Sequence, residues 1–143
     1  MASCNLYKED TVKKSYFVLG LTIILAAVLL AACGPKPVKL SVEMKDFAYT
    51  PNSYSIPAGK EVTLELKNMG TLAHEFVIMK KGTQATLPFD DDDEGNIYWE
   101  KELEPGENAT VAFTSPNEPG SYQVVCGTAG HLEQGMQATL EVK

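Results

Sequence analysis

The sequence predicts an all-β fold, an antiparallel Greek-key β-sandwich of about eight strands, over residues 38–143. Three observations carry the prediction. Apolar residues alternate with polar ones at a period of two in segment after segment, and turn residues punctuate those segments. Nothing beyond residue 37 sustains a helical period of 3.6 for more than one or two turns.

The strands follow in order. Val38, Leu40, Val42 and Met44 alternate with Lys39, Ser41 and Glu43, as expected of a strand with one buried face. A shorter piece at Tyr54 and Ile56 precedes Val62, Leu64 and Leu66, which alternate with Thr63, Glu65 and Lys67. The pattern returns at His74-Phe76-Ile78, Ala109-Val111-Phe113, Tyr122-Val124-Cys126 and Met136-Ala138-Leu140-Val142. Pro57-Ala58-Gly59, Asn68-Met69-Gly70, Pro105-Gly106 and Pro119-Gly120 separate these runs with residues that favour turn geometry. The single long connection, between residues 79 and 108, holds the acidic run Asp90-Asp91-Asp92-Asp93-Glu94.

Residues 1–32 are of another kind. Lys8, Lys13 and Lys14 precede an uncharged run of 17 residues from Tyr16 to Ala32. That is short for a spanning helix, which needs about 20 residues, and slightly long for a secretory apolar region. An uncleaved anchor is therefore one reading of it. Small side chains next to the cut are what a signal peptidase accepts, and Leu30-Ala31-Ala32-Cys33 resembles the lipobox of bacterial lipoproteins. The resemblance implies a signal peptide over 1–32, lipidation of Cys33 and a proline-stiffened tether over 33–37. The domain at 38–143 is then expected, lipid-anchored, on the extracytoplasmic face of a bacterial membrane, at the cell membrane or on the periplasmic side.

Composition narrows the chemistry. In 143 residues there are 12 Lys and no Arg against 19 acidic residues, for a formal charge of -7. Neutralising phosphates takes clustered basic side chains, so nucleic acid is excluded as a partner. Two histidines cannot build a trinuclear copper cluster or a three-histidine zinc site. The three cysteines, Cys4, Cys33 and Cys126, form neither a CxxC motif nor a disulfide framework.

What remains is concentrated near the C-terminus. Cys126-Gly127-Thr128-Ala129-Gly130-His131 continues through Leu132-Glu133-Gln134-Gly135 to Met136, a C-x4-H-x4-M spacing, while His74 lies on an earlier strand. A strand end, a glycine-rich loop and the next strand start can bring a thiolate, an imidazole and a thioether to one point. One thiolate, two imidazoles and a weak thioether form the trigonal set that suits copper in both oxidation states. Zinc is the competing occupant, but it prefers four firm ligands, and a thioether is a poor fourth.

The segments VVCGTAGHLEQGM, LAHEFVI, VEMKDFAYTPNSYSIPAG and ELEPGENATVAF together resemble the cupredoxins, the small blue copper proteins. The resemblance covers about residues 38–143 and implies a cupredoxin-like Greek-key sandwich with one type 1 copper ion near one end. Position by position it implies His74, Cys126, His131 and Met136 as ligands. The gap from Cys126 to His131 is similar to azurin or rusticyanin, and the gap before Met136 to plastocyanin or rusticyanin. One departure stands out. Several members carry Asn just after the first histidine, where it braces the ligand loop, and here the residue is Glu75.

A coordination sphere filled by protein leaves no position for substrate, which points to electron transfer rather than catalysis. The expected function is a membrane-anchored blue copper protein that shuttles single electrons between a donor and an acceptor, such as a cytochrome c or a membrane oxidoreductase. A copper-binding module for delivery or storage is the alternative. By resemblance His131 lies at an exposed apolar patch, with Met69, Leu72 and Leu132 expected around it. Nine acidic residues fall within positions 90–107, and Asp90, Asp91, Asp92, Asp93 and Glu94 are candidates for steering a basic partner.

Overall fold

The computed structural model describes residues 37–143. The expected signal peptide over 1–32, the expected lipidation of Cys33 and the expected tether up to residue 36 lie outside those residues. No helix among the described residues is long and apolar enough to cross a membrane.

Among the described residues there are nine strands and one helical turn. They are β1 (Val38–Lys45), β2 (Ala48–Thr50), β3 (Ser53–Ile56), β4 (Glu61–Asn68), β5 (His74–Met79), α1 (Asp91–Glu94), β6 (Ile97–Leu103), β7 (Asn108–Thr114), β8 (Gly120–Val125) and β9 (Gln137–Val142). One sheet has the order β2-β1-β4-β7 and the other β3-β9-β8-β5-β6. The sandwich is as expected, but its sheets are mixed rather than antiparallel. β1 runs parallel to β4, and β3 runs parallel to β9. Between β1 and β4 the chain leaves one sheet to form β3 in the other, so those neighbours meet through a crossover and not a hairpin.

β2 and β6 account for the strands beyond the sequence expectation. Three residues are too few to display a period, which hides β2. In β6 the inward positions are Trp99, Lys101 and Leu103, while a register shift pairs Ile97 with outward-facing Met79; that shift and a lysine on an edge strand blur the alternation. The strand's alternate positions are nevertheless less exposed, and Trp99 stacks on Phe113 of β7 at 4.9 Å.

Alternation in both sheets feeds one core. Val42, Met44, Val62, Leu64 and Leu66 from the first sheet meet Phe76, Ile78, Tyr122, Val124, Leu140 and Val142 from the second. Burying each such side chain is worth about 1.5–3 kcal/mol relative to exposure, so a continuous core of this kind dominates the stability. β5 differs in being buried on both faces. Its outward residues Val77 and Met79 join Val125 and Leu132 in a second cluster, which Ala85, Phe89 and Ile97 pack against.

The acidic run therefore belongs to a packed cover rather than a free loop. The Asp90 side chain caps α1 by accepting from the Asp92 amide at 3.0 Å. Asp93 is 1 % exposed, and its carboxylate accepts from the Thr86 amide and hydroxyl, both at 3.0 Å. Asp93 cannot face a partner, which corrects its assignment as a steering residue. Asp90, Asp91, Asp92 and Glu94 remain at the surface.

Candidate metal centre

Antiparallel pairing of β5 with β8 sets Val77 opposite Val125 and Ile78 opposite Val124. The start of β5 is thus brought beside the end of β8, which places His74 next to Cys126. β8 also pairs with β9, and beyond its last ladder pair the Cys126 amide donates to the Met136 carbonyl at 3.1 Å. The chain between these two residues is a loop closed at its neck.

Within that loop the backbone turns tightly. The His131 and Met136 amides donate to the carbonyls of Thr128 and His131, both at 3.0 Å. Gly130 and Gly135 sit at φ 83° and 90°, where a Cβ would be strained. Gly127 has a different reason. A Cβ there would meet the Glu75 carboxylate and press on the Phe89 ring, so glycine lets that carboxylate lie against the backbone.

Three side chains converge inside. His74 Nδ1 lies 3.1 Å from His131 Nδ1, and Cys126 Sγ lies 3.3 Å from His131 Nδ1 and 3.9 Å from His74 Nδ1. His74 and Cys126 are 0 % exposed and His131 is 4 % exposed. Met136 is fully buried in the same core cluster as Cys126. Burial raises the Cys126 thiol, and hydrogen bonds from the Glu75 amide and from Thr128 partly oppose that. Among the described residues no carboxylate joins the three-residue group. Two imidazoles, one sulfur and a neighbouring thioether, with no firm fourth ligand, fit copper better than zinc.

The surroundings answer how the loop is held without asparagine after His74. Thr128 Oγ1 donates to the Ala73 carbonyl at 3.1 Å and ties the loop to β5. The Glu75 amide donates to Cys126 Sγ at 3.3 Å, and its carboxylate receives the Gly127 amide. Burial raises the Glu75 carboxyl, with Glu102 and Glu100 adding to the rise. Asparagine does appear, but seven residues earlier in the chain relative to Glu75. Buried Asn68 donates to the carbonyls of Leu72 and Leu103 at 2.8 and 3.0 Å and accepts from the Gly70 amide at 2.9 Å.

Two residues of the β1–β2 turn touch the centre and were not singled out from sequence. Asp46 Oδ1 lies 3.2 Å from His74 Nε2. Hydrogen bonds from the Thr71 amide and hydroxyl hold its carboxyl below the usual range. Phe47 adopts φ 65° and meets the His131 ring edge-on, with centroids 5.2 Å apart. The polar turn after the first strand was the only signal for either.

The expected apolar patch needs two corrections. His131 is covered rather than exposed, because Phe47 packs against it. Leu132 is buried in the second cluster with Val77 and Val125. Met69 and Leu72 are exposed as expected, and Phe47, 40 % exposed, is the third large apolar side chain at the surface near the site. Beside Gly127 opens an acidic cleft of about 790 Å³, lined by Glu75, Phe89, Asp90, Asp91, Glu94, Glu100, Lys101 and Glu102.

Comparison with known proteins agrees with this geometry. A family model described as a cupredoxin-like domain matches residues 18–140. Dithionite-reduced auracyanin from the photosynthetic bacterium Roseiflexus castenholzii is 26% identical, covers 76% of this chain and 99% of its own, and superposes with a TM-score of 0.62. Auracyanin A, a "blue" copper protein from the green thermophilic bacterium Chloroflexus aurantiacus, is 26% identical over 75% of this chain and 99% of its own, at 0.61. Auracyanin B is 26% identical over 77% and 92%, also at 0.61. No curated protein sequence gives a significant match. With a family model spanning most of its length, the chain belongs to the cupredoxin-like family, and its cofactor is a type 1 copper ion.

Proposed function

We propose that this protein is a lipid-anchored electron carrier on the extracytoplasmic face of a bacterial membrane, passing single electrons between two redox proteins. One observation carries the reading. The three converging donor atoms of His74, Cys126 and His131 are buried, and all lie within 4.8 Å of one another. Such a site offers a substrate no approach. His74, Cys126 and His131, with the thioether of Met136 as a weaker donor, would hold the copper, and the ion would supply a one-electron couple. The chain's own part is to exclude water, fix the donors and present a surface.

Phe47, Met69 and Leu72 give that surface an apolar contact zone near His131. Asp91, Glu94, Glu100 and Glu102 around the cleft add a negative field that favours a basic partner, such as a cytochrome c. The leader's Leu-Ala-Ala-Cys supports the anchor, and mass spectrometry of a lipidated N-terminal Cys33 checks it.

Copper(II) addition to the purified protein is expected to produce an intense band near the red end of the visible spectrum. Reversible voltammetry with copper retained against a chelator is expected alongside it. A colourless copper-loaded protein, or an unchanged band in Cys126→Ala, would refute the copper site. Ready loss of copper to the chelator would favour delivery or storage.

A further inference from the structure

We propose that Asp46 is a positioning residue for the copper site, one that fixes His74 as the Nε2–H tautomer and biases the couple toward Cu(II). An ionised carboxylate can only accept hydrogen bonds. At 3.2 Å from His74 Nε2, Asp46 Oδ1 therefore requires the proton on Nε2. That leaves the Nδ1 lone pair free, and Nδ1 is the nitrogen facing Cys126 and His131.

The local chain is arranged to hold this contact. Thr71 donates its amide to Asp46 Oδ1 at 2.9 Å and its hydroxyl to Oδ2 at 2.8 Å, so both carboxylate oxygens are fixed in orientation. Gly70 clears the path. A Cβ there would collide with both Asp46 Oδ1 and His74 Nε2, so the approach of carboxylate to imidazole depends on glycine at that position. Asn68 in turn fixes Gly70 through its side-chain oxygen. His74 is fully buried while Asp46 is partly exposed, so the negative charge reaches the ring from the solvent side.

Charge gives the arrangement a consequence beyond orientation. An anion hydrogen-bonded to a ligand makes that ligand a stronger donor and favours the more highly charged state of the metal. Outer contacts of this sort are typically worth about 10–100-fold in metal affinity. Exposure and salt screen the charge, which puts the effect at the lower end.

The inference rests on the copper reading, so its test begins without copper. In metal-free protein, nitrogen-15 NMR of the imidazoles is expected to show His74 as the Nε2–H tautomer. An Nδ1–H tautomer in the unmodified protein overturns the proposal, whatever metal the protein binds. In copper-loaded protein, Asp46→Asn keeps an acceptor for Nε2–H and removes the charge. It is expected to weaken Cu(II) binding about tenfold, to weaken Cu(I) binding less, and so to raise the reduction potential. Thr71→Val loosens the carboxylate without removing its charge, and a smaller shift in the same direction is expected. Equal effects on Cu(I) and Cu(II) affinity in both variants would indicate a purely structural role and overturn the charge assignment. A loss of copper binding by the unmodified protein would instead strike at the proposed function, leaving the tautomer result to stand or fall separately.

Discussion

His74 and His131 aim the same ring atom at the same point, yet the molecule treats the two rings differently. His74 leads a strand buried on both faces, and its outer nitrogen meets the Asp46 carboxylate. His131 sits in a turn of the ligand loop, and no hydrogen bond to its outer nitrogen occurs among the described residues; the edge of Phe47 covers the ring. One histidine is wired into the frame and the other is set under a removable cover. A carrier needs both properties. A fixed ligand keeps geometry similar in two oxidation states, and a thinly covered one gives a partner a short approach to the site.

The largest effect should come from breaking the frame on the His74 side. Asn68→Ala removes three hydrogen bonds and leaves the buried Leu103 carbonyl without its side-chain partner. Unsatisfied buried groups cost about 1–3 kcal/mol each, so a loss of about 2–4 kcal/mol is expected. Calorimetry of the metal-free protein should show a fall in Tm of roughly 8–30 °C, given about 4–8 °C per kcal/mol in a domain of this size. On the loop side, exposed Gln134→Ala should change stability by less than about 0.5 kcal/mol. Equal losses at the two positions would erase the distinction between frame and loop.

That asymmetry also sorts what could be read from the sequence. Strands with one buried face announced themselves, because alternation in β4 or β9 is the direct trace of a core on one side only. The ligand set was legible for a related reason. Cysteine, histidine and methionine around three glycines have few structural uses, and the sequence holds only two histidines. Parallel pairing of β1 with β4 left no local mark, since it is decided by where the chain crosses between sheets. Asp46 and Phe47 were hidden for the same reason. A polar turn looks like any other turn until folding brings Thr71 and His74 to it. Burial of Asp93 and Leu132 was likewise unreadable, because a run of acids and an apolar loop residue both suggest surface roles.

Lifting the cover should have a smaller effect. Phe47→Gly relieves a left-handed backbone that costs a side-chain-bearing residue about 1–2 kcal/mol. It also forfeits an edge-on aromatic contact worth about 0.5–1.5 kcal/mol. The two changes nearly cancel, so stability should move by less than about 1 kcal/mol. Access should change much more than stability. In metal-free protein, diethylpyrocarbonate followed by mass spectrometry is expected to modify His131 faster than His74, and Phe47→Gly should accelerate only the former. Comparable rates for both rings, or acceleration of both, would mean that Phe47 is not the cover.

The smallest expected effect is a pH slope. In metal-free protein burial lowers the His131 imidazole below its ordinary 6.5, with His74 adding to the fall and Asp46 and Glu133 opposing it. The unfolded chain then binds a proton that the folded protein resists, so stability rises with pH across the window just below 6.5. This contribution is fully present above 6.5 and is lost as pH falls through the folded value. One proton limits the slope to about 1.4 kcal/mol per pH unit, and a partial shift gives less. Glu75 acts in the opposite sense. Burial raises its carboxyl above the ordinary 4.5, so its contribution is present at low pH and declines as pH rises past that value. Chemical denaturation of metal-free protein from pH 4.5 to 7 therefore carries both contributions, and single variants separate them by sign. His131→Asn should flatten the rise of stability toward pH 6.5, while Glu75→Gln should keep that rise and remove the opposing decline above 4.5. If His131→Asn retains the full slope, the ring is not held neutral by its burial, and the contrast between an anchored histidine and a covered one loses its electrostatic half.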